Sequence, residues 1–218
     1  MLDHSCQVQR HSLSDRKDDL YETPDVAVEA LLRVEQLPHH IWEPACGRGR
    51  ITNVLRTHGH TVWATDLNDY GCPGSESRID FLMERQRRFD VECIFTNPPF
   101  KLAEQFVEHA LFLSPRVVML LRLAFYESAR RSHILENCGL ARIYAFRKRL
   151  PMMHRDGWEG RKANSGMAFA WFCWDRAHTG PTTIHRISWE TSGDHTDASA
   201  NVAQVSSGHH GEQSQEGV

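Results

Sequence analysis

The chain has 218 residues, with 25 basic and 28 acidic side chains and a net charge of −3. That length gives one full domain with tails, or two small ones, and a core large enough to stand without disulfide or metal staples. An apolar share of 40% beside 24% charged residues excludes a uniformly basic nucleic-acid protein but leaves room for a local basic patch.

The longest apolar run, Val117 to Phe125, is too short to span a bilayer and contains Arg122. The first residues carry Asp3, Asp15, Arg16, Lys17, Asp18 and Asp19 without an apolar stretch, so no secretory signal is expected. None of the six cysteines forms a C-x-x-C pair, and Cys93 and Cys173 sit in apolar runs as small hydrophobes. A cytoplasmic chain without a disulfide framework or a metal site is expected. His58-Gly59-His60 reads as the solvated end of a helix and a turn.

Residues 1–19 read as a flexible N-terminus. From Asp25 to Leu37, apolar residues at Val26, Ala30, Leu31 and Val34 predict a helix, with Pro24 at its first turn. Ile41-Trp42 predicts a short strand that runs into the glycine loop Glu43-Pro44-Ala45-Cys46-Gly47-Arg48-Gly49. Ile51 to His58 predicts a helix stopped by Gly59. Thr61 to Asp66 predicts a second strand, a weak third falls near Ser77 to Ile79, and Val91 to Thr96 a fourth, halted by Pro98-Pro99. Ala103 to Leu113 predicts a helix, Arg116 to Leu121 a buried fifth strand, and Glu127 to Asn137 a helix closed by Gly139. Ala141 to Phe146 and Ala168 to Trp174 predict the last two strands, separated by a polar segment instead of a helix. The alternation argues for an α/β fold with a mostly parallel, seven-stranded sheet, and the missing last crossover for an antiparallel hairpin at one edge. A single domain over 20–190 is expected. Residues 191–218, rich in Ser, Gly, His and Gln, are too poor in apolar surface to offset chain entropy and predict a disordered tail.

Two segments carry chemistry. A strand ending at Glu43, then Gly47-x-Gly49 and a helix, has the shape of a loop that cradles a nucleotide-type cofactor against free helix N–H groups. Asp66, 17 residues after Gly49 at the end of the next strand, stands where a carboxylate accepts from ribose hydroxyls. The plainer reading is a tight turn and a strand cap. Thr52 occupies the third-glycine position of a dinucleotide fingerprint, so that fingerprint is incomplete.

Asn97-Pro98-Pro99-Phe100 follows an apolar strand directly, at the sheet edge where ligands bind. The plainer reading is a rigid turn. The chemical reading is an acceptor site for an exocyclic amine. Such a nitrogen is a poor nucleophile because its lone pair is delocalised into the ring. The Asn97 side-chain oxygen and the Pro98 carbonyl can accept its two N–H bonds, favour a tetrahedral nitrogen, and stabilise its developing positive charge. The prolines preset the backbone, and Phe100 offers a face for the ring to stack on. No strong general base is required.

Together these segments resemble the class I S-adenosylmethionine-dependent N6-adenine DNA methyltransferases, and the compact solitary enzymes of phages and prophages in particular. Tyr21-Glu22-Thr23-Pro24 is similar to the segment that closes over the methionine part of the cofactor. Glu43 through Gly49 is similar to the family's E-P-A-x-G-x-G loop, Asp80-Phe81-Leu82 to its adenine-recognising D-F-L, and Asn97 through Phe100 to its N-P-P-Y/F. The resemblance covers about residues 20–178 with the motifs in order. It implies a Rossmann-like fold and S-adenosyl-L-methionine as cofactor. It also implies cofactor contacts from Tyr21, Thr23, Pro24, Glu43, Pro44, Cys46, Gly47, Gly49, Asp66, Leu67, Asp80 and Phe81. Asn97, Pro98, Pro99 and Phe100 would form the catalytic site for a flipped adenine. A separate target-recognition domain is not expected within these 218 residues.

Between residues 140 and 178 there are eight basic side chains against three acidic ones. Arg147, Lys148, Arg149, Arg155, Trp158, Arg161 and Lys162 in that stretch read as a nucleic-acid clamp, cations on phosphates and an aromatic wedge, or more plainly as a solvated loop. DNA is the expected partner. RNA adenine, a protein glutamine amide, and a non-catalytic cofactor-binding module remain as alternatives.

Overall fold

The computed structural model describes residues 21–86, 90–151 and 166–190. The two expected tails lie outside these residues. Within them, strands β1 (His40–Glu43), β2 (Thr61–Asp66), β3 (Glu76–Ser77), β4 (Cys93–Thr96), β5 (Arg116–Arg122), β6 (Leu140–Phe146), β7 (Phe169–Asp175) and β8 (Thr183–Ile187) form one sheet. Its order is β3-β2-β1-β4-β5-β7-β6-β8. All neighbouring pairs are parallel except those of β7, which runs antiparallel to both β5 and β6.

The expected count of seven strands is corrected to eight. The β6–β7 hairpin is present, but β8 pairs parallel to β6 and takes the sheet edge from it. Four of the five β8 residues are exposed and only Ile187 is buried, so this strand has no alternating pattern to betray it.

Helices α1 (Asp25–Leu32) and α2 (Arg50–Thr57) cover one face, α3 (Ala103–Leu113) and α4 (Ser132–Glu136) the other. The strands feed both layers by alternation: Ile41, Phe95 and Val118 pack with α1 and α2, while Trp42, Ile94 and Val117 pack with α3 and α4. Three buried indoles brace this core, each with its N–H satisfied. Trp171 donates to the Ala27 carbonyl at 2.9 Å, Trp42 to the Thr65 hydroxyl at 2.9 Å, and Trp174 to the Ile134 carbonyl at 2.9 Å.

Two expected helices are shorter than their periodicity. The first ends at Leu32 instead of Leu37, because Glu35 turns into the protein. It accepts from Arg142 at 2.7 and 2.8 Å, from Arg116 at 2.8 Å and from the Tyr144 hydroxyl at 2.7 Å. The expected helix from Glu127 to Asn137 is a single 3-10 turn, Ala129–Arg131, followed by the short α4. Arg131 is drawn away there, onto the Phe125 ring and the Glu104 carboxylate. Among the described residues no helix is long and apolar enough to cross a membrane.

Candidate active site

Parallel pairing brings the carboxyl ends of β1, β2 and β4 to one edge of the sheet, and a cavity of about 370 Å³ opens there. This lies within the size range of small-ligand pockets, roughly 300–1,000 Å³. Glu43, Pro44, Cys46 and Gly47 line it from the loop after β1, and Asp66 and Leu67 from the end of β2. Asp80 and Phe81 line it after β3, the whole Asn97–Phe100 turn after β4, and Tyr21 and Thr23 from the segment before α1. Pro24 and Gly49 stand behind the wall. Pro24 begins α1, and its carbonyl accepts from Ala27 at 2.9 Å. Gly49 caps α2 with φ +83°, and a Cβ there would sit 2.6 Å from Cys72 Sγ. Only glycine meets both conditions.

The glycine loop is pinned to the end of β2. The Cys46 N–H donates to the Thr65 carbonyl at 3.0 Å, and the Gly47 N–H to Asp66 Oδ2 at 2.9 Å. Asp66 Oδ1 accepts from the Asn68 N–H at 2.9 Å. Burial raises the Asp66 pKa, opposed by these amides. Glu43 is only 1% exposed. It accepts from the hydroxyl and backbone amide of Thr52, in the first turn of α2, and so serves a helix start that has no side-chain cap of its own. Burial pushes its pKa from 4.5 up to about 8. Asp80 Oδ1 accepts from the Leu82 N–H at 3.0 Å and caps the 3-10 turn Phe81–Met83. Phe81 is a wall packed edge-on against Trp42, with ring centroids 5.2 Å apart. Leu67 is exposed at the rim.

The Asn97 amide is held in one orientation. Its nitrogen donates to the Tyr21 carbonyl at 3.1 Å and to the Thr23 hydroxyl oxygen at 3.0 Å. The Tyr21 carbonyl can only accept, so the –NH2 group must face it. Asn97 Oδ1 is left buried without a partner among the described residues. An orphaned buried acceptor costs about 1–3 kcal/mol unless something donates to it. The Phe100 ring stacks on Tyr21 at 4.7 Å and 30°, and the Arg122 guanidinium lies 4.3 Å from its centroid. Pro99 leads directly into the 3-10 turn Phe100–Leu102.

Arg147, Lys148 and Arg149 are exposed just after β6, which ends at the same sheet edge. Lys148 pairs with Glu190 at 2.7 Å. Arg155, Trp158, Arg161 and Lys162 lie outside the described residues. The sequence assigns no site role to Arg122, Ile79 or Phe106, although Ile79 and Phe106 line the cavity and Arg122 lies over Phe100. Arg122 carries a usable signal, as a cation at the carboxyl end of a buried strand. Ile79 and Phe106 carry none beyond their apolarity.

A sheet in this order, with a glycine loop after β1, an acid closing β2 and a rigid turn after β4, defines the Rossmann-like class I methyltransferase fold. Solved structures share it. One is a protein described as a modification subunit of a type I restriction enzyme from Vibrio vulnificus, with 15% identity, a TM-score of 0.55 and 79% of this chain covered. A second is described as an RNA methyltransferase from Pyrococcus horikoshii, with 12% identity, a TM-score of 0.51 and coverage of 71% of this chain and 85% of that one. A third is described as a class I S-adenosylmethionine-dependent methyltransferase from Listeria monocytogenes, with 13% identity, a TM-score of 0.51 and coverage of 75% and 65%. At these identities the likeness is one of fold. The chain spans about half, 48%, of the Vibrio protein's length. No protein-family model matches the chain, and no curated protein matches it.

Proposed function

We propose that this chain transfers the methyl group of S-adenosylmethionine to the N6 amine of adenine in DNA. The observation that carries the reading is the Asn97 amide: its nitrogen is tied to Tyr21 and Thr23, its oxygen is buried without a partner among the described residues, and Asn97 and Phe100 both line the cavity. Such an oxygen suits a donor that arrives with the substrate.

The remaining walls fit the cofactor by their chemistry. Burial raises the pKa of both Asp66 and Glu43, and a ligand carrying positive charge and hydroxyl donors would favour their ionised forms. Gly47, with φ +52°, keeps the loop free of side chain on that face. Asp80, Phe81 and Leu67 form the far end, where a nucleobase fits. When bound, the cofactor supplies an electrophilic methyl on a sulfonium.

The chain's own residues orient the acceptor. Asn97 Oδ1 and the Pro98 carbonyl take the two N–H bonds of the amine and turn its lone pair toward the methyl. Phe100 holds the ring. Transfer would exchange the cofactor's C–S bond for an N–C bond, with the electron pair of the broken bond left on the thioether sulfur. The surplus proton on nitrogen then passes to solvent. Asn adds no charge beside a neutral amine, and positioning supplies most of the effect.

DNA as acceptor is supported by the order of the four motifs and by the Vibrio protein's description. A polyanion is supported by the exposed cations after β6. The test is label transfer from methyl-labelled S-adenosylmethionine to unmethylated duplex DNA, single-stranded DNA and total RNA. Label in DNA is expected. Label only in RNA moves the acceptor to RNA adenine. Cofactor binding with no label in any nucleic acid overturns the reading and leaves protein glutamine amides to be tried.

A further inference from the structure

The sequence resemblance gives Tyr21-Glu22-Thr23-Pro24 to the cofactor. The contacts of this segment run to the acceptor half of the site as well. The Tyr21 carbonyl and the Thr23 hydroxyl take both hydrogens of the Asn97 amide, at 3.1 and 3.0 Å, and the Tyr21 ring stacks on Phe100 at 4.7 Å. One short segment thus grips the first and last residues of the acceptor turn, across 74 to 79 positions of sequence. Thr23 is itself buried, at 4% exposure, so water does not compete for its hydroxyl.

We propose that Thr23 is a positioning residue for methyl transfer: its hydroxyl fixes the rotation of the Asn97 amide so that Oδ1 is presented to the acceptor amine. This rests on the reading of Asn97 as the amine-binding residue. The physical case is one of rotational freedom. The terminal torsion of an asparagine is soft. With only the Tyr21 carbonyl as partner, the amide can pivot about that single bond, and the Oδ1 direction spreads. Two acceptors at separate points on the –NH2 group remove the pivot. The Thr23 oxygen accepts in this pair.

The test compares Thr23→Val, of nearly the same shape but without the hydroxyl, with Thr23→Ser, which restores it. Steady-state transfer to DNA gives kcat and the KM values, and calorimetry gives the Kd of S-adenosylmethionine. For Thr23→Val, kcat is expected to fall about 10- to 100-fold, the scale of a small misplacement of a catalytic group. The cofactor Kd should stay within about twofold, and Thr23→Ser should recover most of the rate. A Thr23→Val protein with unchanged kcat and a weakened cofactor Kd overturns the proposal and returns Thr23 to the cofactor. So does a Thr23→Ser protein as slow as Thr23→Val. A thermal midpoint for each variant separates a folding defect from a positioning one. If Thr23→Val does not fold, the recovery by Thr23→Ser and the same comparison with Thr23→Ala decide. Wild-type protein that methylates no nucleic acid overturns the adenine reading itself. Wild-type transfer that Thr23→Val leaves intact overturns the positioning role alone.

Discussion

Glu43→Gln is the perturbation whose effect is most directly worked from the structure. Glu43 is buried at the end of β1, and burial raises its pKa from 4.5 to about 8. Below pH 4.5 the carboxyl is protonated in both folded and unfolded chains, and pH has no leverage through it. Between 4.5 and about 8 the unfolded chain has released the proton and the folded one has kept it. Stability therefore falls as pH rises across that window, and levels off above it. At roughly 1.4 kcal/mol per pH unit, the whole interval gives a ceiling on the order of 5 kcal/mol. Gln keeps the shape, still accepts from Thr52, and has nothing to ionise. Urea denaturation of both proteins without cofactor, at several pH values from 5 to 9, reads the difference. The variant should gain on the wild type steadily with pH, by a few kcal/mol at pH 8.5, and the gap should be smallest at pH 5. Parallel stability curves across the range would refute the account of Glu43 as a buried, protonated acid.

Gly49→Ala places a methyl 2.6 Å from Cys72 Sγ on a residue with φ +83°. Left-handed strain and overpacking together should cost about 2–4 kcal/mol, seen as a lower urea midpoint; an unchanged midpoint contradicts the packing described. Replacing Arg147, Lys148 and Arg149 together by Ala should weaken DNA binding and flatten its salt dependence, by up to about 0.9 in slope per lost phosphate contact. Cofactor affinity should not change. Lys148 already pairs with Glu190, so Lys148→Ala alone should contribute least of the three. Unaltered DNA affinity in the triple variant removes the clamp.

Local pattern carried the reading wherever local forces decide the structure. The β2 strand, Thr61–Asp66, and the α3 helix, Ala103–Leu113, end where the sequence predicts. Gly59, with φ +87°, closes α2 just ahead of β2, and an amphipathic face sets α3. The first helix stops early because Glu35 answers to Arg116 and Arg142, 81 and 107 positions away, and no window around Leu32 contains that information. Strand β8 is held by its backbone pairing to β6, with four of its five residues exposed, so it carries no hydrophobic pattern to read. The site divides in the same way. The glycine loop and the Asn97–Phe100 turn are contiguous and were legible. The contacts of Tyr21 and Thr23 with Asn97, and the Arg122 guanidinium over Phe100, arise from chain paths that meet only in the fold.

The most direct measurement is nucleoside mass spectrometry of DNA incubated with S-adenosylmethionine and either wild-type or Asn97→Ala protein, with calorimetry of cofactor binding alongside. N6-methyladenine from the wild type, none from Asn97→Ala, and a similar cofactor Kd for both is the predicted result. Methylation at another base position, or N6-methyladenine formed undiminished by Asn97→Ala, would contradict the assignment of this cavity.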